Sequence, residues 1–270
     1  MQYELGIIGA GQMAEAIVRG VIRGGLFEAG QMIAADVSDA RRDVFHKELG
    51  LAVSAENADV ARQSKAVLLS VKPYQMAEVL AGIGRVMAPG TLVISIAAGV
   101  KAASIEKHLG AAHAWRVVRS MPNTPMLVGE GMVAIAAGTH ATPADLAAAR
   151  RIFEASADVL DVREDQIDAV TAMSGSGPAY FFYFVEAMIK AGQELGLSAE
   201  QAHKLASKTC LGAGRMLTLS ADSPEELRRK VTTPNGTTHA AIVAMQGKGL
   251  GDIVAEGVRA AERRSKELGA

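Results

Sequence analysis

The 270-residue sequence predicts an α/β domain followed by an all-helical domain. Up to about Arg163, short apolar runs alternate with amphipathic segments, a pattern typical of a parallel sheet wound with helices. Beyond that residue the strand signals stop, and glycine and proline separate stretches with a helical period. We therefore expect a sheet domain over residues 1–163 and a helical domain over residues 164–270.

The strands of the first domain are predicted from short runs rich in apolar and β-branched residues. VLLSV and LVISI are apolar at nearly every position, which is typical of strands covered on both faces. The predicted strands are Tyr3–Gly9, Met32–Asp36, Ala66–Val71, Leu92–Ile96, Arg116–Ser120, Met132–Gly138 and Asp158–Val162.

Helices are predicted between these strands and throughout the second domain. In the first domain they are Met13–Arg23, Asp39–Leu49, Tyr74–Gly84, Ser104–Leu109 and Ala144–Ala155. In the second they are Gln166–Met173, Ala179–Leu195, Ala199–Leu219, Glu225–Lys230, Thr237–Gln246 and Asp252–Leu268. The consecutive aromatic residues Tyr180–Phe184 face all sides of one helix, so we expect this segment to be buried in the core or in a subunit interface.

Composition excludes several classes of protein. With 49% hydrophobic and 21% charged residues, the chain can bury a sizeable core and is not disordered. A net charge of -1 argues against nucleic-acid binding by bulk electrostatics. The single cysteine, Cys210, excludes internal disulfides and cysteine-based metal sites, and we expect no metal. No secretory signal or membrane-spanning stretch is recognisable, so we expect a soluble, cytoplasmic protein.

The segment Gly9–Ala14 reads GAGQMA and follows the first predicted strand. This is a GxGxxA variant of the dinucleotide-binding fingerprint in its strand–turn–helix context. Gly9 permits the tight turn, Gly11 lets the backbone approach a pyrophosphate, and Ala14 keeps the helix close to the sheet. The alternative, a glycine-rich turn that binds nothing, is less favoured at the start of a βαβ pattern.

Cofactor choice stays open at the end of the second strand. Asp36 is placed to hold an adenosine ribose 2′-hydroxyl, which favours NADH. Ser38, Arg41 and Arg42 follow closely and offer donors for the 2′-phosphate of NADPH. A third interpretation is that Asp36 starts a turn and the arginines lie on a solvated helix face.

Three further loops follow strands at the edge where ligands of such sheets collect. They are Val71–Pro73, with the cation Lys72; Ala97–Gly99, built from small residues; and the two-proline turn Met121–Pro125. Proline and glycine commonly end strands, so each loop alone has a structural explanation. Their common place at one edge favours a functional interpretation.

The helical half contains two polar segments that helix propensity does not explain. Ser174–Pro178 interrupts a helical stretch. Thr232–His239 is rich in hydroxyls and leads into a helix whose free N–H groups could bind a small carboxylate. On local grounds a capped helix start explains the second segment equally well, and we expect His239 to lie on the helix surface.

Six motifs in one order resemble those of the pyrroline-5-carboxylate reductase family. They are IGAGQMAEAI, SVKP, SIAAGV, RSMPNTP, TAMSGSGPAY and VTTPNGTTHAAI, between residues 8 and 242. The resemblance implies a Rossmann domain and a helical domain that interlocks with a second subunit in a homodimer or larger homo-oligomer. It also implies reduction of 1-pyrroline-5-carboxylate to L-proline with NADPH or NADH, the last step of proline biosynthesis.

The resemblance also assigns residues by motif position. In the substrate loop it implies Gly236, Thr237 and Thr238, with Thr238 at the catalytic position that hydrogen-bonds the imine nitrogen. Asn235 departs from the glycine usual in the family, and Lys230 from the asparagine of some relatives. With Asp36 and Ser38 added, the expected cofactor-binding residues are Ile8, Gly9, Ala10, Gly11, Gln12, Met13, Asp36, Ser38, Asn57, Val71, Lys72, Pro73, Ala97, Ala98 and Gly99.

Two other functions are compatible with parts of this pattern. A β-hydroxyacid dehydrogenase shares the domain order but uses a lysine base in its helical half, and here Lys190 and Lys204 lie outside any polar motif. A regulatory protein that senses NAD(P) needs no hydroxyl-rich substrate loop, so Thr237 and Thr238 count against it.

Overall fold

The computed structural model describes residues 1–269, and in that range eight strands form one sheet in the order β3-β2-β1-β4-β5-β6-β7-β8. The strands are β1 Tyr3–Ile8, β2 Met32–Ala35, β3 Ala52–Ser54, β4 Ser64–Leu69, β5 Leu92–Ser95, β6 Arg116–Met121, β7 Gly131–Ala137 and β8 Ala157–Asp161. β3 is three residues long and was not predicted, because three residues are too few to establish a strand period.

Strands β1 to β6 are parallel, as expected, but β7 pairs antiparallel with β6. The chain between β6 and β7 spans only residues 122–130. A parallel crossover needs about a dozen residues or more, so the short connection forces the chain to reverse. β8 then pairs parallel with β7, so the expected parallel sheet does not extend to these last two strands.

The helices are α1 Gln12–Arg23, α2 Asp39–Asp43, α3 Asn57–Gln63, α4 Met76–Ile83, α5 Ala102–Leu109, α6 Pro143–Glu154, α7 Ile167–Val170, α8 Gly177–Glu194, α9 Ala199–Leu219, α10 Pro224–Lys230, α11 Thr237–Gly247 and α12 Leu250–Leu268. α3 was not predicted. Two predicted helices, Asp39–Leu49 and Gln166–Met173, are interrupted, because π-helical turns follow α2 and α7 at Val44–Glu48 and Thr171–Gly175.

An apolar cluster covers each face of the sheet, and alternate residues of a strand contribute to opposite clusters. In β1, Ile7 packs with α1 and α6 on one face, whereas Ile8 packs with α3, α4 and α5 on the other. This double coverage explains why the strand sequences are apolar at successive positions. It also leaves the loops at the strand ends as the accessible edge of the sheet.

The chain divides into two compact units, Met1–Ser176 with the residues from Ala261 onward, and Gly177–Ala260. The second unit contains α8 to α11 and the first part of α12. Within it α8 packs closely on α9, since a Cβ added at Gly192 would lie 3.2 Å from the Cβ of Ala202. The boundary at residue 163 stays a prediction.

The aromatic residues of α8 are not buried in the chain's own core, which was one of the two environments predicted for them. Phe181, Phe182 and Tyr183 expose 61%, 63% and 74% of their surface. A small helical unit offers too few neighbours to cover five consecutive aromatic residues on every side of one helix. The other predicted environment, an interface with a second subunit, is taken up below.

Among the described residues, no helix is both long and apolar enough to cross a membrane.

Candidate cofactor and substrate site

The glycine loop lies where the strand order reverses. β1 lies between β2 and β4, so the loops that follow β1 and β4 are neighbours at the carboxyl edge of the sheet. Gly9 has φ +94°, and a Cβ added to it would lie 2.7 Å from the carbonyl oxygen of Ser70. Only glycine fits this close approach between the two loops.

Gly11 is the N-cap of α1, and no side chain caps this helix. A Cβ added at Gly11 would meet nothing within 4 Å, so a ligand can approach the backbone there. Free N–H groups and the positive end of the helix dipole together attract phosphate. These features fit the pyrophosphate of a dinucleotide.

A cavity of about 610 Å³ opens beside this loop. It brings together the predicted residues Gly9, Gly11, Asp36, Asn57, Val71 and Lys72. It is also lined by residues that sequence reasoning missed: Val37, Ala55, Glu56, Ala58, Ser70, Gln75, Glu78, Val79, Gly82 and Ile83. The sequence did offer a signal for Val37, because it is an apolar residue directly after Asp36. In the structure its side chain is 88% exposed.

Other predicted cofactor residues do not line this cavity. Ile8 and Ala10 are fully buried, and Gln12 and Met13 form the first turn of α1. The Ser38 hydroxyl accepts a hydrogen bond from the N–H of Arg41 at 3.4 Å. Ser38 therefore caps α2. Pro73 begins a 3₁₀ turn after β4, and Ala97, Ala98 and Gly99 follow β5 further along the sheet edge.

Asp36 is fixed by the backbone around it. Its carboxylate accepts hydrogen bonds from the N–H groups of Ala10, at 2.8 Å, and Ser38, at 2.9 Å. It does more than start a turn, since it ties the end of β2 to the glycine loop and also faces the cavity. This end of the cavity is therefore lined by an acidic side chain.

The two arginines that could bind a 2′-phosphate are already engaged. Arg41 donates to the carbonyl oxygen of Ala10 at 2.5 Å and to Glu15 at 2.7 Å. Arg42 donates to the carbonyl oxygen of Asp36 at 2.6 Å and pairs with Asp39. Neither arginine lines the cavity.

Glu15 connects α1 to the segment after β2. Burial raises the pKa of its carboxyl group, but hydrogen bonds and charge interactions with Arg41 and Arg19 outweigh this, so the pKa lies below its ordinary value. The carboxylate is thus ionised at neutral pH and braces Arg41 against the glycine loop.

Asn123, in the two-proline turn Met121–Pro125, forms hydrogen bonds that hold neighbouring segments together. Asn123 donates from Nδ2 to the carbonyl oxygen of Ser174 at 3.2 Å and accepts at Oδ1 from the N–H of Met132 at 2.9 Å. Both ends of this nearly buried amide are used to hold neighbouring segments. Asn123 therefore positions β7 and the Ser174 segment.

The substrate loop lies in the second unit. α11 begins at Thr237 with Gly236 as N-cap, and no side-chain hydrogen bond caps it. The helix therefore starts at a glycine N-cap without a capping side chain, and the first N–H groups of α11 remain available for a carboxylate. Thr238 is half-buried in the first turn, and His239 is exposed, as expected.

Both departures from the family pattern have a local explanation. Asn235 has φ 59° and is the one non-glycine residue with positive φ in the range 1–269. Asparagine tolerates this left-handed conformation better than most residues, so it can replace the usual glycine. The Nζ of Lys230 lies 2.6 Å from Oδ2 of Asp222, an ion pair on the surface.

Known proteins match along the whole chain. Family models match residues 4–99, described as NADP oxidoreductase coenzyme F420-dependent, and residues 164–268, described as pyrroline-5-carboxylate reductase dimerisation. The pyrroline-5-carboxylate reductase of Synechocystis is 42% identical over 100% of this chain and 99% of its own length. The chain belongs to the pyrroline-5-carboxylate reductase family. This confirms the resemblance drawn from the six motifs.

Solved structures of the reductase family have the same fold throughout. The pyrroline-5-carboxylate reductase of Coxiella burnetii is 36% identical, with a TM-score of 0.91 and 100% of both chains covered. The Plasmodium falciparum pyrroline carboxylate reductase, solved with NADP bound, is 28% identical, with a TM-score of 0.89 and the same coverage. Fold class and domain order agree with the sequence prediction.

Proposed function

We propose that this chain reduces 1-pyrroline-5-carboxylate to L-proline with hydride from NADPH or NADH, the last step of proline biosynthesis, in the cytoplasm. One observation carries the proposal. Reductases of this name align along the full chain, so the match includes both the glycine loop and the hydroxyl-rich segment of the helical unit.

In this proposal, the first unit binds the cofactor. The N–H groups around Gly11 and the first turn of α1 hold the pyrophosphate. Asp36 and Asn57 face the adenosine ribose, and Lys72 supplies a positive charge in the same cavity. When bound, the dihydronicotinamide supplies the hydride. Ala97, Ala98 and Gly99 form the small-residue loop beside its ring.

The second unit binds the substrate in this proposal. The N–H groups that begin α11, after Gly236, hold the substrate carboxylate. The Thr238 hydroxyl oxygen accepts a hydrogen bond from the protonated imine nitrogen. That proton makes the neighbouring carbon a better hydride acceptor. Solvent has already supplied it, so no strongly acidic side chain is required.

We further propose that the active form is a homodimer or a larger homo-oligomer. The family model over residues 164–268 describes a dimerisation domain. The exposed aromatic residues of α8 support this, as does an apolar cavity of about 710 Å³ between α8, α11 and α12, lined by Tyr183, Met245 and Ile253 among others. Large exposed apolar surfaces typically mark association interfaces.

The experiment is a coupled measurement of cofactor oxidation and proline formation. Purified protein with 1-pyrroline-5-carboxylate should oxidise NADPH or NADH and release one proline for each cofactor consumed. A panel of 3-hydroxy acids with NAD and NADP serves as the control for the dehydrogenase alternative. Turnover of hydroxy acids alone, or cofactor binding without any turnover, would contradict the proposal.

A further inference from the structure

The last turn of α12 belongs to the first unit and is attached there by a buried side-chain cluster. Ser265 is 3% exposed, and its hydroxyl donates to Oδ1 of Asp168 at 2.8 Å. Arg119, on β6, donates from Nη2 to the same oxygen at 3.3 Å. We name these three residues the Arg119–Asp168–Ser265 cluster.

The charged side chains of the cluster are largely buried. Arg119 is 1% exposed, and its Nη1 lies 3.8 Å from Oε1 of Glu164. The same Glu164 oxygen accepts a hydrogen bond from the N–H of Ala102 at 2.5 Å. Buried charges are costly unless they stay paired, so this network strongly favours one arrangement of its segments. Those segments are β6, α7 with the turn before it, the start of α5 and the end of α12.

The end of α12 is seated directly on the loop that follows β5. Gly99 has φ +78°, and a Cβ added to it would lie 2.9 Å from the carbonyl oxygen of Ser265 and 2.9 Å from the Cβ of Leu268. The two backbones are therefore in contact at this point. Ala102, three residues after Gly99, is fixed by Glu164 as described above. The chain that leaves this loop is thus fixed at two points, Gly99 and Ala102.

We infer that the Arg119–Asp168–Ser265 cluster is a positioning device that clamps the C-terminal turn of α12 on the Ala97–Gly99 loop and so sets the place of the nicotinamide ring. The inference rests on the proposed function, which puts this loop beside the ring. Hydride transfer depends steeply on the separation of donor and acceptor carbons, and misplacement by about 1 Å can cost a hundredfold. The clamp should therefore affect kcat far more than cofactor affinity, which depends on the distant glycine loop.

The test compares Ser265→Ala with Ser265→Thr, which keeps the hydroxyl, and with Arg264→Ala. Arg264 is on the same turn but forms an exposed ion pair with Glu267 and takes no part in the cluster. We expect Ser265→Ala to lower kcat about tenfold, on the order expected for a displaced ring, with the dissociation constant of NADPH changed less than about twofold. Ser265→Thr should recover most of kcat, and Arg264→Ala should match the parent.

Hydrogen–deuterium exchange of the full-length protein gives a readout that does not depend on turnover. The amides of residues 97–100 should exchange faster in Ser265→Ala than in the parent, and not in the other two variants. Unchanged exchange, or faster exchange with parental kcat, would overturn the inference. So would a loss of NADPH affinity that accounts for the whole loss of activity.

The same experiment separates failure of the clamp from failure of the proposed function. If the parent does not reduce 1-pyrroline-5-carboxylate, the proposed function fails. The inference is then decided by exchange at residues 97–100 and by the fluorescence of bound NADPH, which reports the surroundings of the ring. A change in both, confined to Ser265→Ala, supports the clamp; no change in either overturns it.

Discussion

Asp36 is the residue whose surroundings bear most on cofactor choice. Its carboxylate faces the cavity, whereas Arg41 and Arg42 are engaged with backbone oxygens and acidic side chains. A 2′-phosphate would therefore meet an acid before it meets a free cation. The structure favours a 2′-hydroxyl at this position more than the sequence did.

Asp36→Asn should shift the preference toward NADPH. The amide has one acceptor oxygen, so it keeps one of the two hydrogen bonds from the N–H groups of Ala10 and Ser38, and it removes the charge that repels a phosphate. We expect the ratio of kcat/KM for NADPH to that for NADH to rise by a few-fold to about tenfold, the range for one partly exposed charge. Asp43→Asn, at the end of α2, is the matched control, because Asp43 forms an exposed ion pair with Lys47 and leaves Arg41 and Arg42 engaged. An unchanged ratio would show that Asp36 does not face the ribose.

Thr238→Ala should lower kcat/KM for the imine. The loss of one hydrogen bond to a charged group costs roughly 1.5–3 kcal/mol, which corresponds to about ten- to a hundredfold. Thr238→Ser keeps the hydroxyl and should retain most activity, and the dissociation constant of NADPH should hardly change in either variant.

Thr218→Ala is the control for this pair, because the Thr218 hydroxyl bonds only to carbonyl oxygens of its own helix. Steady-state kinetics of the parent and the three variants measure whether the Thr238 hydroxyl contributes to kcat/KM. If Thr238→Ala retains the parental kcat/KM, Thr238 does not contact the imine.

Motif spacing predicted the residues that line the cavity where the site is formed by loops directly after strands. Gly9, Gly11 and Lys72 follow strands at fixed offsets, and all three line the cavity. The partners of Arg41 were beyond sequence reasoning, because Ala10 and Glu15 are distant in the chain. Asn235 was recognised as a departure, but its left-handed φ is visible only in the structure.

Helices α1 and α2 are joined by the Glu15–Arg41 ion pair, whose contribution to stability should respond to pH. Because the folded pKa of Glu15 is lowered, its stabilising contribution is complete above the ordinary value of 4.5 and is lost as the pH falls through the lower folded value. Both partners are partly exposed, so the contribution is below about 1 kcal/mol.

Glu15→Gln should therefore lower the melting temperature at neutral pH, and the difference from the parent should vanish in acid. Melting curves from pH 3 to pH 7 check this. Glu154→Gln, which breaks an exposed ion pair on α6, is the control and should show a smaller difference throughout. A difference that persists or grows below pH 4 would contradict the assigned direction of the pKa shift.

At the scale of elements, long periodic segments were predictable and short or interrupted ones were not. The bounds of α9 were predicted to the residue, because caps and periodicity agree there. α3 and β3 carry seven and three residues, too few to establish a period. The antiparallel β7 follows from the length of its connection, a constraint that the strand pattern alone does not reveal.

For the whole molecule, the exposed aromatic surface of α8 predicts association. Light scattering at low micromolar concentration should give at least twice the chain mass of 28.1 kDa. Tyr183→Arg puts a charge into this surface and should shift the protein toward monomer. Tyr74→Arg is the matched control, since Tyr74 is 83% exposed but lies in the first unit. A parent that is monomeric and active would refute an obligate oligomer.

The order of the two domains was predictable from the sequence pattern, because strand signals and helix signals occupy separate parts of the chain. The return of the C-terminal residues to the first unit was not. It depends on Ser265 meeting Asp168 and on Gly99 meeting the end of α12. These are contacts between residues far apart in sequence, and no local pattern encodes them.

The most direct test of imine reduction by this protein follows the hydride itself. The protein is given 1-pyrroline-5-carboxylate with NADPH or NADH deuterated at C4 of the nicotinamide, as each C4 epimer in turn. Mass spectrometry and NMR of the product then locate the label. Direct hydride transfer to the imine predicts L-proline with one deuterium on Cδ from one epimer and none from the other. Proline without label from either epimer, or no proline at all, would contradict it.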